Sequence, residues 1–134
     1  MRRAGPVRRR DLDPAAFAGL LSNVALIQRL RGPPPHLLVR LAGEEIANRD
    51  IGFTKGRLVE QVIPPWYGRH LAETYEAAIA AAVPVLQSVR ATGEFGDHRY
   101  HRLLLPLWEG GEEAEGLLVA TQTEDDSELG SFAA

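Results

Sequence analysis

The sequence predicts an α+β domain in which helices cover one face of a five-stranded antiparallel sheet. Three observations predict it. Five extended apolar runs are interrupted, after the second, by helical pattern, so the order reads helix, two strands, short helices, one long helix, three strands. The long helical run, "PPWYGRHLAETYEAAIAAAV", is amphipathic and therefore has a face to bury against a sheet. The last two runs, "HRLLLPLW" and "LLVATQ", are apolar on both faces, which suits the centre of a sheet better than a solvated hairpin.

Taken in order, "LDPAAFAGLLSNV" opens with a helix. Asp13 is a good N-cap, Pro14 fits the first helical position, and Phe17, Leu20, Leu21 and Val24 fall on one stripe. Val24 to Arg31 and His36 to Gly43 are two strands, and "GPPP" between them can only be a turn. "EEIANRD" and "RLVEQVI" are short helical turns separated by the loop "GFTKG". In the long helix, Leu71, Tyr75, Ala78, Ile79 and Ala82 line one face; Pro65 fits its first turn, but Gly68 weakens that turn and offers a start near Arg69 as the alternative. Pro84 to Thr92, His98 to Trp108 and Leu117 to Thr123 are the remaining strands, and Pro106 predicts a bulge in the second of them. The first and last strands can lie side by side in the centre of the sheet.

The totals narrow the function. With 134 residues, 45% apolar and 25% charged, the chain has the make-up of one globular domain, taken as residues 11–123. Absence of cysteine excludes disulfides, thiolate metal sites and a cysteine nucleophile. No apolar run approaches the ~20 residues of a membrane span. The start, "MRRAGPVRRR", lacks the apolar core of a signal peptide, so a cytoplasmic protein is expected. Residues 1–10 form a basic arm with five arginines, and residues 124–134 an acidic, polar tail. Such an arm can contact nucleic acid, but no aromatic residue interleaves the arginines, and a solvated arm is the expectation.

The stretches "DLDPAAFAGLLSNVALIQRL", "RLAGEEI", "GRLVEQV", "YHRLLLPL" and "LLVATQ", in this order and spacing, resemble a family of short, stand-alone bacterial PAS-domain proteins of the alphaproteobacterial type. The similarity runs from about Arg10 to Thr123, and the loop "GFTKGR" matches the family's Gly-Arg-Asp-Leu-Thr-Gly-Arg only loosely. The resemblance implies a sheet in the order 2-1-5-4-3, helices on one face, and any ligand cavity between the two. It also implies an N-terminal helix or a second subunit over the other face, for which Phe17, Leu20 and Leu21 are the candidates. The function implied is a sensory or protein-interaction module in bacterial signalling, a homodimer that acts through a signalling partner, with a small-molecule or cofactor sensor as the alternative.

The chemistry-bearing residues favour no enzyme. Four of the five strands contain no Asp or Glu, so a buried carboxylate paired with Tyr or His is not expected. Ser22 and Ser88 have no triad partners at recognisable spacing, and no phosphate-binding glycine loop is present. His98 and His101, three apart on a strand, point to opposite faces and cannot share a metal, so no metal is expected. His70 sits on the flank of the long helix, which argues against a haem ligand. No cofactor is required by the sequence, and the cysteinyl-flavin photochemistry of PAS-related light sensors is excluded by composition. Arg40, Trp66, Tyr75, Tyr100 and Arg102 remain as candidates to line a ligand cavity, against the plain alternative that aromatic residues fill the core and arginine stems lie along it. A buried arginine would favour a carboxylate or phosphate group on the ligand.

Overall fold

The computed structural model describes the backbone of residues 22–93 and 96–123 and the side chains of residues 22–90 and 99–122. The helix expected from Asp13, the basic arm, the acidic tail and the candidate cover residues Phe17, Leu20 and Leu21 lie outside the described residues. Within them the elements are β1 (Val24–Leu30), β2 (His36–Ala42), α1 (Glu44–Arg49), a 3-10 turn (Val59–Gln61), α2 (Pro65–Ala81), β3 (Val85–Gly93), β4 (Gly96–Leu107) and β5 (Gly116–Thr123). The strands form one sheet in the order β2-β1-β5-β4-β3, with every neighbouring pair antiparallel. As expected, the first and last strands meet in the middle.

Both faces of the central strands are apolar, and the structure treats them separately. On the inner face, Ala25, Ile27, Val39, Leu104, Leu117 and Val119 pack with Leu71, Tyr75, Ala78 and Ile79 of α2, and Ile46, Phe53, Val59 and Val62 complete this core. Each large aliphatic side chain buried in this way contributes about 1.5–3 kcal/mol. On the other face, Val24, Leu107 and Leu118 form a second buried cluster together with Leu26, Leu105 and Ala120. Strand alternation explains the division: Leu117 and Val119 face α2, and Leu118 and Ala120 face away.

The sheet's two rims differ. Along the outer rim of β2, Val39 donates to Arg57 O at 2.9 Å and accepts from Gly56 N at 2.8 Å, and Leu38 bridges Leu58. The outer rim of β3 has no strand beside it among the described residues. The expected bulge at Pro106 is absent, for β4 pairs with β3 only as far as Leu104 and no ladder partner stands on that side of the proline. A register shift occurs instead in β1, between Leu26 and Ile27.

Of the two starts the sequence offers for the long helix, the structure takes the earlier. The helix starts at Pro65, and Gly68, far from weakening it, is buried in the contact between α2 and the preceding turn. A Cβ on Gly68 would stand 2.3 Å from Val62 O and 2.7 Å from Glu60 O. Close approach of backbone to helix therefore demands glycine here. Gly68→Ala should lower stability by about 1–3 kcal/mol through overpacking against backbone that cannot swing aside. Urea unfolding measures it, and a midpoint equal to that of the parent would contradict the packing described.

Candidate functional site

The chain's three tyrosines, Tyr67, Tyr75 and Tyr100, converge with two arginines and an aspartate on the inner side of β4. Tyr100 and Arg102 are two residues apart on β4 and so share one face of the strand. β3 pairs Arg102 with Gln87, whose amide oxygen accepts hydrogen bonds from Arg102 Nε at 3.0 Å and Nη2 at 2.7 Å. Arg102 is 6% exposed, and its guanidinium lies 5.4 Å from the centre of the Tyr75 ring. From α2, Tyr75 meets Phe53 edge-on at 6.5 Å.

The end of α1 supplies the remainder. Arg49 is its last residue and Asp50 its C-cap. The Arg49 guanidinium stacks 4.0 Å over the Tyr100 ring, a favourable cation–π arrangement. Its Nε is buried without a hydrogen-bond partner, and at 3.8 Å from Asp50 Oδ1 it makes an ion pair but no hydrogen bond. Asp50, 5% exposed, accepts a hydrogen bond from the Tyr67 hydroxyl at 3.2 Å.

These surroundings keep two phenols protonated. Burial pushes the Tyr67 hydroxyl well above its ordinary value, and the Asp50 charge and the neighbouring Tyr100 phenol add to the shift. Burial likewise raises Tyr75, an effect that Arg102 opposes. At neutral pH both hydroxyls are therefore hydrogen-bond donors and poor bases. The arrangement suits holding an acceptor group more than moving a proton.

The 2-1-5-4-3 antiparallel fold that frames this cluster is matched by the comparisons with known proteins. A family model described as PAS domain matches residues 2–119. The chain belongs to the PAS-domain family. No curated protein sequence matches it. Its fold is similar to that of the PAS domain from Bordetella pertussis BvgS, with a TM-score of 0.62 at 12% identity, over 89% of each chain.

Of the PAS domain's five sequence-predicted cavity residues, the structure brings Tyr75, Tyr100 and Arg102 together. Arg40 and Trp66 lie elsewhere. Arg40 follows the fully buried Val39 on β2, so alternation turns it to solvent. Trp66 is 63% exposed and meets Tyr67 edge-on at 5.8 Å, while its neighbour Tyr67 is the residue that reaches the cluster. Arg49, Asp50, Tyr67 and Gln87 were not anticipated. Asp50 also overturns the expectation that no buried carboxylate pairs with a tyrosine: strands lack acids, but a helix cap delivers one. His70 is exposed, and His101 sits 3.2 Å from Ser88 on an exposed part of the sheet, whereas the His98 side chain lies outside the described residues.

The raised phenols set a pH dependence. The unfolded chain ionises tyrosine near the ordinary value of 10, whereas the folded state holds Tyr67 and Tyr75 protonated beyond it. The stability they contribute is complete below that value and is lost as pH rises above it, because the unfolded state then binds fewer protons. Urea unfolding midpoints should fall between about pH 9 and about pH 11, and fall less steeply in Tyr75→Phe. Equal steepness in parent and variant would show that the Tyr75 phenol does not drive the loss.

Proposed function

We propose that this PAS domain is a non-catalytic sensory and interaction module of bacterial signalling, cytoplasmic, that works by association. The observation that carries the reading is the sheet face opposite α2. Val24, Leu107 and Leu118, with Leu26, Leu105 and Ala120 around them, make that face as apolar as a core, and Leu86 nearby on β3 is 65% exposed. Isolated domains seldom leave such faces to water, and the burial of Val24, Leu107 and Leu118 marks this one as a covered face. The apolar stripe expected at Phe17, Leu20 and Leu21, just before β1 in the sequence, is the proposed cover, docked on its own sheet or on a second copy's, with a two-fold dimer as the favoured assembly. A change of association state, or contact with a signalling protein, is then the output. Among the described residues no helix is long and apolar enough to cross a membrane.

The Asp50–Tyr67 pair is the one feature that would serve an acid–base enzyme. Two facts weigh against that use: Tyr67 is held protonated, and Asp50 already faces both the Tyr67 hydroxyl and Arg49. Donors held ready in the interior fit a sensing role better, with binding rather than turnover as the event.

Native mass and thermal melting test the association. Burying Phe17 and Leu20 should contribute about 1.5–3 kcal/mol each, so a Phe17→Asp, Leu20→Asp double variant should lose dimerisation, stability or both. A Leu105→Asp variant, altering the opposite side of the same contact, should behave alike. If both variants elute and melt like the parent, association through this face is refuted.

A further inference from the structure

Among the described residues, the interior of the site sets two guanidiniums, those of Arg49 and Arg102, against the single carboxylate of Asp50. Arg102 is 94% buried as its 6% exposure implies, and no carboxylate among the described residues pairs with it. Among the described residues its acceptor is one amide oxygen, that of Gln87, which receives both Nε and Nη2. A guanidinium has more donors than this oxygen can take, arranged as a planar fork that matches the two oxygens of a carboxylate. Arg49 repeats the deficit, since its Nε is buried and unpartnered and its one carboxylate, Asp50, is shared with Tyr67. Both guanidiniums are tied to the same face of β4: Arg49 lies over Tyr100, and Arg102 comes two residues later. A buried charge without a counter-charge is strongly unfavourable, so the site is built to receive one.

We propose that Arg102 and Arg49 bind a small carboxylate between the helices and the sheet, with Gln87 standing in for it when the site is empty. The inference rests on the sensory reading above and names its ligand class. The Gln87 amide presents a planar oxygen in the fork of Arg102, the place a carboxylate oxygen takes with added charge and a second acceptor. Carboxylate is favoured over tetrahedral phosphate because the acceptor already in place is planar. A small anion is the class proposed, since Phe53, Leu71 and Leu104 of the same core are fully buried. Displacement of Gln87 gives binding a consequence, since Gln87 belongs to β3, whose outer rim has no strand beside it among the described residues.

Calorimetric titration and thermal melting of the full chain, with sodium acetate, sodium succinate and sodium phosphate as probes and sodium chloride at equal ionic strength as control, test the proposal. Acetate or succinate should bind saturably and raise the melting temperature beyond the chloride control. Arg102→Gln should weaken that binding at least about tenfold. Gln87→Ala, which frees the guanidinium fork, should strengthen it, and this variant decides the matter if Arg102→Gln does not fold. Absence of saturable carboxylate binding, saturation by phosphate alone, or a Gln87→Ala protein that binds no tighter than the parent would each overturn the proposal. The association test uses none of these anions, so a dimer lost in Leu105→Asp alongside failed titrations would reject the ligand and leave the interaction reading standing.

Discussion

A sheet whose central strands are apolar on both sides cannot be finished by one layer of helices. β5 lies between β1 and β4, and its Leu117–Ala120 stretch offers side chains alternately to each face. The inner side is satisfied by α2, and that packing depends on Gly68, where the helix meets the carbonyls of Glu60 and Val62 too closely for any side chain. Nearby, Arg29 of β1 reaches Glu76 of α2, an ion pair between half-buried side chains that fixes the helix over the strand more by position than by energy. The outer side is left to an element beyond the sheet.

Against this apolar background the polar cluster is an island whose position is set by strand alternation. β4 runs Tyr100, Arg102, Leu104 along its inner face, so the change from polar to apolar along that face follows from one strand's sequence. α1 ends at the polar end of β4, which is why its last residue and its cap reach the cluster while its Ile46 joins the core. Aromatic rings carry both guanidiniums, an arrangement that suits arginine because its planar, weakly hydrated head stacks where a lysine ammonium would not.

Periodicity made most of the fold legible. The strands, the face of α2 and the double-sided hairpin all follow from where apolar residues recur. Sequence reading failed where a residue's meaning depends on what stands across from it. Gly68 looks like a flaw along the helix and becomes a contact only once Val62 folds back against it. Tyr75, Tyr100 and Arg102 could be read because each interrupts or joins an apolar face. Arg49 and Asp50 could not, since "ANRDIG" is polar like any helix end, and the choice between Trp66 and Tyr67 turns on a single residue's rotation, about 100°, around the helix. Gln87 gained its role from register alone, as the residue opposite Arg102.

The unequal rims of the sheet also limit how copies can go wrong. Exposed strand edges invite neighbouring molecules to add on, and fibre growth by this route needs each copy to accept a strand on one side and offer one on the other. Here Val39 has both backbone groups occupied by the Gly56–Arg57 segment, which closes that side to newcomers. Among the described residues no strand lies beside β3, so two copies that meet edge to edge there do so head to head and exhaust each other's free rim. Strand pairing between molecules therefore terminates at a pair and does not propagate into a filament.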